Sequence, residues 1–430
     1  MTSQTSMTCP QHPPGGQSSD STAGRGTLPS EATTGYSPDV AIPGLYLHIP
    51  FCAHKCHYCD FYSIVERAEP RHEAFTDALI RELTARAAAH RLAPRTIFVG
   101  GGTPTLLDVA HWSRLLGAMG ELHLLADVEE FTVEANPETL TAELAGTLAA
   151  GGVNRLSMGA QSFQPHLLKT LERWHEPASV GRAMGTARAA GIDNINLDLI
   201  FAIPGQSMAE LDADLDAALA LAPTHLSCYS LIFEPHTPLT KRMQLGLIQP
   251  TDEDLERAMY ERVIERLDDA GFEQYEVSNW AAGGEARRHE AAEARSGDYR
   301  CAHNLLYWRN EDWIGVGPSA ASHVRGRRWK NKPHLAAYIA GAPEPPLSED
   351  ETLDASGRVG EQLMLALRTR EGVTLDWLAA NLPATDPRQA DRRATIDEML
   401  ELNMLERTAT HLRLTRRGLF LADAIVAKLL

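Results

Sequence analysis

Short apolar runs alternate with longer segments of helical periodicity along most of the chain. The apolar runs predict strands at residues 45–49, 96–100, 130–134, 155–159, 195–201 and 226–231. Most of these runs are apolar at consecutive positions, which is typical of parallel strands buried on both faces. Six successive strand-then-helix units predict a parallel sheet with right-handed crossovers. Because eight such units close a TIM barrel, six predict an α/β fold with an open, partial (β/α)6 TIM-like barrel.

The segments between the predicted strands carry helical stripes. In the first of them Phe75, Leu79 and Leu83 are spaced by four, so they share one face of a helix. Farther along, Ser207 and Glu210 have the spacing of a capping box, which predicts the start of another helix. The alternation of strand and helix therefore extends through the first half of the chain.

Composition divides the chain into four parts. The first is rich in Ser, Thr, Gly, Pro and Gln and has no apolar period, which predicts a disordered tail. We interpret a polar insertion around residues 281–298 as an exposed loop, and the Pro-rich segment 341–350 as a linker. The predicted parts are the tail (1–40), the partial barrel (41–240), a barrel extension (241–345) and a smaller C-terminal domain (346–430).

The C-terminal part predicts a small winged-helix-like α+β domain. Its predicted elements are helices at 359–367, 375–382 and 394–402, a hairpin of 404–407 against 411–414, and a last helix from Gly418. Residues 351–430 contain 11 Lys and Arg against 12 Asp and Glu. Because a DNA-binding wing is basic, this balance argues against nucleic acid as a partner.

Charge and hydropathy narrow the class of protein further. The 430 residues carry a formal net charge of −17, which repels phosphate backbones and anionic lipid. No stretch approaches the roughly 18 apolar residues of a membrane span. The N-terminus lacks the basic segment followed by an apolar stretch that marks a signal peptide. These features predict a cytoplasmic protein without nucleic acid or membrane partners.

Three of the six cysteines lie within eight residues, as Cys52-x3-Cys56-x2-Cys59, directly after the first predicted strand. Three thiolates on one loop can bind three irons of a 4Fe–4S cubane and leave the fourth iron without a protein ligand. S-adenosylmethionine (SAM) can chelate that open iron, and an electron from the cluster can then cleave its sulfonium. A zinc site completed by His54 or His57 is the alternative, although zinc usually needs a second distant ligand pair.

Further polar and glycine residues follow the other predicted strands. Gly100-Gly101-Gly102-Thr103 follows the second strand, where the absence of side chains lets the backbone approach a ligand. Glu134 ends the third strand, and a buried carboxylate needs a partner such as an ammonium group. The residues in similar positions are Gln161, Arg173 and Asp198. For each of these residues a salt bridge or a helix cap is the alternative interpretation.

The segments GLYLHIPFCAHKCHYCDFYS, GGGTPT, EANPE, GAQSF and DLIFAIPGQ resemble the coproporphyrinogen III dehydrogenase family of radical SAM proteins, over roughly residues 44–430. The resemblance implies a partial (β/α)6 barrel followed by a smaller domain. It also implies that Tyr46 and Tyr58 surround SAM and that Glu134 holds it. The positions that match further SAM contacts, some of them to a second SAM, are Gly101, Gly102, Thr103, Gln161, Arg173 and Asp198.

Two features place the resemblance in the heme chaperone branch, HemW. The dehydrogenase has a fourth cysteine two residues after the triplet, where this chain has Phe61. The segment His303-Asn304-Leu305-Leu306-Tyr307-Trp308 is similar to the HNxxYW signature of that branch. The resemblance implies that the protein binds heme through His303 and passes heme to apo-hemoproteins. It also implies an unidentified electron donor and a homodimer formed on heme binding.

Three alternatives stay open at this point. The protein can be an enzyme, the oxygen-independent coproporphyrinogen III dehydrogenase, or a radical SAM protein that acts on another substrate. His303 can be a structural histidine. Cys301 can be a second ligand close to heme or, as we expect, a buried structural thiol. Cys228 lies within an apolar run and is predicted to belong to the core.

Overall fold

The computed structural model describes residues 40–66, 68–283 and 298–430. Its strands are β1 (Ile42–Ile49), β2 (Phe51–Cys52), β3 (Ile64–Val65), β4 (Leu92–Gly101), β5 (Glu130–Ala135), β6 (Arg155–Gln161), β7 (Asn194–Phe201), β8 (His225–Ser230), β9 (Phe272–Glu276), β10 (Asn279–Ala282), β11 (Trp313–Val316), β12 (Ala321–Val324), β13 (Arg327–Asn331), β14 (Leu347–Thr352), β15 (Val373–Thr374), β16 (Leu405–Arg407) and β17 (His411–Leu414).

Helices connect most of these strands. They are α1 (Glu69–Ala89), α2 (Val109–Glu121), α3 (Ala142–Ala150), α4 (Pro165–Thr170), α5 (Pro177–Ala189), α6 (Met208–Ala220), α7 (Pro238–Gln244), α8 (Glu253–Asp269), α9 (Ala302–Trp308), α10 (Leu335–Gly341), α11 (Ala355–Ala366), α12 (Leu375–Asn381), α13 (Ala390–Glu401), α14 (Arg416–Leu419) and α15 (Ala422–Ala427). The predicted capping box of Ser207 and Glu210 starts α6. None of the described helices is long and apolar enough to cross a membrane.

The main sheet has twelve strands in the order β14-β13-β12-β11-β1-β4-β5-β6-β7-β8-β10-β9. The six predicted strands, β1 and β4 to β8, pair in parallel in chain order. The predicted α/β fold with a partial barrel is therefore confirmed. The structure adds β11 as a seventh parallel strand beside β1, with Leu45 opposite Ile314. This strand was not predicted from the sequence, because it is only four residues long and lies after a helix in the barrel extension.

Side chains along the central strands alternate between two environments. The outward set packs with the helices in one apolar core and comprises Leu45, Leu47, Ile97, Val99, Phe131, Val133, Leu156, Met158, Ile195 and Leu197. The inward set is buried and polar and includes Thr132, Arg155, Ser157, Asn196, His225 and Ser227. The prediction that most strands are apolar on both faces is therefore wrong for the inner face. Burial of the inner face is possible because these polar groups bond to one another across the strands.

Helix α9 lies at the end of the barrel where the parallel strands begin. Glu130, the first residue of β5, accepts hydrogen bonds from the backbone N–H groups of Ala302 (2.8 Å) and His303 (3.1 Å). These are first-turn groups that have no partner within the helix, and a carboxylate at a helix N-terminus is also favoured by the helix dipole. A strand residue thus anchors the helix inside the barrel.

Beyond the barrel, the C-terminal part has the predicted order of helices and hairpin. Its three short strands pair as β15-β17-β16. The interpretation of 341–350 as a linker is wrong for its second half, because β14 pairs with β13 in the main sheet, with Lys330 opposite Glu349. The predicted tail lies, except for Val40, outside the described residues, and so does most of the predicted loop at 281–298. Ala281 and Ala282 belong to β10.

One buried carboxylate joins α1 to the edge of the barrel. The side chain of Glu82 is fully buried and accepts hydrogen bonds from Gly317 N (2.9 Å), Asn331 Nδ2 (2.9 Å) and Arg86 Nη2 (3.0 Å). Gly317 follows β11 and Asn331 ends β13. Glu82 therefore holds the strands that extend the barrel beyond β1.

We expect Glu82→Ala to lower the free energy of unfolding by about 3 kcal/mol, because it leaves two buried donors and the partly buried Arg86 guanidinium without their acceptor. Urea denaturation followed by circular dichroism measures this loss. Glu73→Ala, on the exposed face of the same helix, is the control and should change stability by less than about 0.5 kcal/mol. Equal midpoints for the two variants would contradict this role of Glu82.

Candidate functional site

The three clustered cysteines lie on a loop that β2 and β3 close. Cys52 ends β2 and pairs with Val65, and Cys56 and Cys59 follow on the loop between the two strands. Lys55 fastens the loop internally, since its Nζ donates to Phe61 O at 2.6 Å and to Ser63 Oγ at 2.9 Å. Because β2 follows β1, the loop lies at the end of the barrel where the parallel strands finish.

Two other segments hold this cluster loop (residues 52–63) from outside. His57 N donates to Leu171 O at 3.2 Å, and Leu239 N donates to His57 O at 3.0 Å. The side chain of Tyr58 packs in a small apolar cluster with residues of α4 and α7. The position of the cysteines is thus set by backbone contacts with α4 and with the start of α7.

The three thiols are partly buried and lie close to hydrogen-bond donors. Burial raises the pKa of Cys59 to about 12 and also raises the pKa of Cys52. Thr103 Oγ1 lies 3.7 Å from Cys52 Sγ, and Arg173 Nη1 lies 3.6 Å from Cys56 Sγ, both as donors. Cys52 and Cys59 therefore hold their protons more tightly than free cysteines, and a metal that binds here has to displace those protons.

The spacing of the sulfurs distinguishes a cluster from a single ion. Among the described residues, one group of three His, Cys, Asp or Glu ligand atoms lies within 4.8 Å of one another, and it consists of Glu69, Asp108 and His111. The three cysteine sulfurs are therefore spread more widely than ligands of one zinc, whose bonds to sulfur are about 2.3 Å long. A 4Fe–4S cluster binds each thiolate at a different iron, so the donor set fits the cluster better than zinc.

Two carboxylates face the interior of the barrel beside this loop. Burial, followed by the repulsion of Asp198, raises the pKa of Glu134 to about 8. Burial also raises the pKa of Asp198 to about 6, against the hydrogen bond from Asn196 and the attraction of Arg155. Two neighbouring buried acids with raised pKa values are unfavourable when both are ionised. A cationic ligand would relieve this repulsion, as expected for the amino group or the sulfonium of SAM.

The glycine run between β4 and the following turn is closely packed. A Cβ at Gly100 would lie 2.8 Å from the Glu134 carboxylate, and one at Gly101 would lie 2.5 Å from the His48 ring. Gly101 N donates to Glu134 Oε2 at 3.0 Å, while Gly102 N and Thr103 N donate to backbone carbonyls of the β1–β2 segment. These N–H groups are therefore used within the protein. The run holds Glu134 and the cluster loop in place.

Arg173 connects the cluster loop to β6. Its Nη2 donates to Gly159 O at 2.7 Å, and its Nε is buried without a hydrogen-bond partner among the described residues. Gln161 ends β6 at a bulge with φ of 63°, and its amide lies over Gly159. Left-handed backbone at a non-glycine residue is a form of strain that is found at binding sites. The free Nε of Arg173 suits an anionic group such as the carboxylate of SAM.

Tyr46 lies deeper in the barrel, on β1. It is buried, its hydroxyl is 3.0 Å from His48 Nδ1, and its ring stacks on Phe98. The predicted SAM-contact residues are thus brought to one end of the barrel, with Tyr46 beneath them.

His303 lies apart from this group. Its Nδ1 is 2.8 Å from Thr96 Oγ1, its Nε2 is 2.9 Å from Tyr307 Oη, and its side chain has no exposed surface. Thr96 pairs with Glu130, four residues before Glu134 along β5, a separation of about 13 Å along the strand. Burial lowers the pKa of His303 to about 3. The structure therefore places His303 in the core, at the end of the barrel opposite the cysteines.

Some residues near the site were not predicted from the sequence. Trp174 is 64% exposed, and its ring stacks on His54 with 3.8 Å between centroids. It borders a cavity of about 610 Å³ that Leu168, Arg173 and His175 also line. Inside the barrel, buried polar residues extend from Asp198 away from the cysteines. The polar side chains at alternate positions of β6, β7 and β8 were the signal for this interior layer.

The chain is similar to known proteins over most of its length. Residues 46–218 match the radical SAM superfamily, and residues 353–421 match the HemN C-terminal domain. The chain is 34% identical to the heme chaperone HemW of Lactococcus lactis over 385 residues, which cover 90% of this chain and 96% of that protein. It is 38% identical to the heme chaperone HemW of Mycobacterium tuberculosis, with 90% and 94% covered.

Among solved structures, the fold is similar to that of coproporphyrinogen III oxidase (HemN) from Escherichia coli, a radical SAM enzyme. The TM-score is 0.77 at 22% identity, and 91% of each chain is covered. At this level of identity the likeness supports the fold, including the smaller C-terminal domain, and does not extend to the reaction.

The raised pKa of Glu134 predicts a pH-dependent stability. The folded protein keeps a proton on Glu134 that the unfolded chain loses above its ordinary pKa near 4.5. Stability therefore falls as the pH rises from about 4.5 to about 8 and then levels off. We expect Glu134→Gln, which still accepts the bond from Gly101 N, to melt several degrees above the unsubstituted protein at pH 8.5.

The difference in melting temperature between Glu134→Gln and the unsubstituted protein should shrink towards pH 5, when both are melted without SAM. Glu129→Gln, on the exposed residue just before β5, is the matched control and should melt like the unsubstituted protein at both pH values. A constant difference between Glu134→Gln and the unsubstituted protein across this pH range would show that ionisation of Glu134 is not its cause.

Proposed function

The chain belongs to the HemW family of radical SAM proteins, and from this we propose that it is a heme chaperone that binds a 4Fe–4S cluster, SAM and heme. In this proposal it delivers heme to apo-hemoproteins in the cytoplasm, receives electrons from an unidentified donor and forms a homodimer on heme binding. The family relatives named as heme chaperones support the heme part. The observation that carries the cluster and SAM part is the convergence of three cysteines and two carboxylates at one end of the barrel.

Each residue has a distinct part in this site. Cys52, Cys56 and Cys59 would hold the cluster, which supplies one electron to SAM when both are bound. Glu134 and Asp198 would bind the cationic groups of SAM, and Arg173 its carboxylate. The remaining SAM contacts that we propose are Tyr46, Tyr58, Gly101, Gly102, Thr103 and Gln161. Among these, the glycine run and Thr103 would contribute carbonyl or side-chain groups, because their N–H groups are used within the protein.

Phe61 supports a chaperone over the dehydrogenase. It stands where the resemblance places a fourth cysteine, and its backbone carbonyl accepts a hydrogen bond from Lys55 Nζ at 2.6 Å. This position is thus engaged in closing the cluster loop through the backbone. The side chain of Phe61 supplies no ligand or thiol for a reaction.

Heme coordination by His303 requires a conformational change, because the ring is fully buried in this structure. Both ring nitrogens have hydrogen-bond partners within the barrel, so Tyr307 must release Nε2 before iron can bind there. Helix α9 would also have to move from the end of the barrel to expose the ring. We propose that heme binds to this open form, with neutral imidazole as the axial ligand.

Anaerobic reconstitution tests the cluster. We expect about four irons per chain and a broad 4Fe–4S absorption band for the unsubstituted protein. Cys56→Ala should lose most of the iron and the band, because a cubane with two protein thiolates is labile. Cys228→Ala removes a buried core thiol and should keep both. Zinc in place of iron after reconstitution, at one per chain, would contradict the cluster.

Hemin titration tests the heme part. We expect a Soret shift for the unsubstituted protein, loss of the shift in His303→Ala, and a stronger shift in Tyr307→Phe, which frees Nε2 while keeping the aromatic ring. Thermal melts establish that each variant is folded.

A Soret shift that survives in folded His303→Ala would overturn the assignment of the ligand and leave heme binding intact. The absence of any shift in the unsubstituted protein would overturn heme binding. Conversion of coproporphyrinogen III to protoporphyrinogen IX by the reconstituted protein would favour the enzyme in place of the chaperone.

A further inference from the structure

A continuous line of hydrogen bonds crosses the barrel interior from the SAM-binding end to helix α9. Asp198 Oδ1 is 2.7 Å from Asn196 Nδ2, and Asn196 Oδ1 is 2.7 Å from His225 Nδ1. His225 Nε2 is 2.8 Å from Tyr275 Oη, which is 3.2 Å from the backbone N of Cys301. Cys301 is the residue directly before α9. We infer that Asn196, His225 and Tyr275 position the Asp198 carboxylate for SAM and couple SAM binding to the packing of α9.

The ionised Asp198 carboxylate fixes the direction of the bonds in this line, because it can only accept. Asn196 therefore donates to it from Nδ2 and presents Oδ1 to His225, so that His225 carries its proton on Nδ1 and donates. Nε2 of the neutral His225 then accepts from the Tyr275 hydroxyl, and the Tyr275 oxygen accepts from Cys301 N–H. All four bonds point towards the carboxylate, so each donor is polarised by the next bond.

Two serine hydroxyls complete the hydrogen bonds of Asn196, and because a hydroxyl can donate or accept, they fit the orientation that Asp198 and His225 set. Asn196 Nδ2 also donates to Ser157 Oγ at 2.8 Å, and its Oδ1 also accepts from Ser227 Oγ at 3.1 Å. A flipped amide would place its NH2 group against His225 Nδ1–H and its oxygen against the Asp198 carboxylate. The line therefore has one arrangement while Asp198 is ionised and His225 is neutral.

The surroundings keep His225 neutral. Burial and the nearby Arg155 guanidinium hold the pKa of His225 well below its usual range. A neutral imidazole has one donor and one acceptor nitrogen, which is what a relay of hydrogen bonds requires. Asparagine and tyrosine side chains also donate and accept. The charge at Asp198 therefore polarises each hydrogen bond of the line in turn, without proton transfer.

The far end of the line meets the start of α9. Tyr275 accepts the N–H of Cys301, while Glu130 accepts the next two N–H groups of the chain. These three donors are among the first four N–H groups, which α9 cannot satisfy internally. A stronger bond at Tyr275 therefore holds the first turn of α9 more firmly against the barrel. The same helix carries His303, the proposed heme ligand.

This inference rests on the proposed function, since it requires SAM to bind beside Asp198. A cation there favours the ionised carboxylate, which accepts more strongly from Asn196 and tightens the line up to Cys301. By reciprocity, firm packing of α9 must favour SAM binding by the same factor. Loss of SAM would loosen the helix that has to move before heme can reach His303.

Tyr275→Phe interrupts the line by removing one hydroxyl. We expect the reconstituted full-length protein with this substitution to bind SAM about fivefold more weakly, the low end of typical couplings between sites. Hydrogen exchange of the amides at residues 301–308 is the second measurement. SAM should slow this exchange in the unsubstituted protein and leave it unchanged in Tyr275→Phe.

Tyr260→Phe is the matched control. Tyr260 is also buried, and its hydroxyl donates to Val277 O at 2.5 Å, outside the line. This variant should show the SAM affinity and the SAM-dependent protection of the unsubstituted protein. If Tyr275 had a purely structural role, Tyr275→Phe would lose stability as Tyr260→Phe does. SAM would then still slow the hydrogen exchange at residues 301–308 in Tyr275→Phe.

The outcomes separate the inference from the proposed function. SAM binding that leaves the exchange at 301–308 unchanged in the unsubstituted protein overturns the inference, and so does a folded Tyr275→Phe variant that behaves like Tyr260→Phe. The first of these measurements needs no variant, so it decides the question even if Tyr275→Phe does not fold. Failure of the reconstituted protein to bind SAM overturns the proposed function, and the inference with it.

Discussion

Buried polar side chains line the inner face of the barrel, and they can be buried there because they form hydrogen bonds with one another across the strands. Along the central strands one set of side chains packs with the helices, and the alternate set is enclosed by the strands themselves. An enclosed polar group without a partner costs about 1–3 kcal/mol. Ser157, Asn196 and His225 must therefore meet their partners in one geometry, which fixes the register of β6, β7 and β8.

This requirement divides the barrel into two ends with different chemistry. Where the parallel strands finish, loops carry the cysteines, and Glu134 and Asp198 lie beside them. Where the strands begin, α9 fills the opening, anchored by Glu130. The polar interior connects the two ends, so a change of charge at one end acts on hydrogen bonds that reach the other. A barrel filled with apolar side chains would isolate the ends from each other.

The electrostatics of the open end suit a ligand that carries charges of both signs. Glu134 and Asp198 have raised pKa values because they are enclosed together, and a bound cation lowers the cost of ionising both. Arg173 lies between the cysteine loop and β6, with one buried nitrogen that the described residues leave unpaired. SAM offers an amino group, a sulfonium and a carboxylate. In the proposed function these three groups would be bound by the two acids and the guanidinium.

The six parallel strands, the helices between them and the cysteine triplet could be predicted from the sequence, because they depend on local periodicity and spacing. The sequence also indicated which residues lie at the strand ends, since parallel strands finish on one side of a sheet. Features that depend on pairing between distant residues became visible only in the folded chain. Tertiary pairing placed β14 in the main sheet although its sequence suggested a linker, and it directed the N–H groups of the glycine run to Glu134 and the β1–β2 backbone. It also enclosed His303 between Thr96 and Tyr307. Thr96 and His303 are in contact although they lie 207 positions apart in the sequence, and no local pattern can encode such a contact.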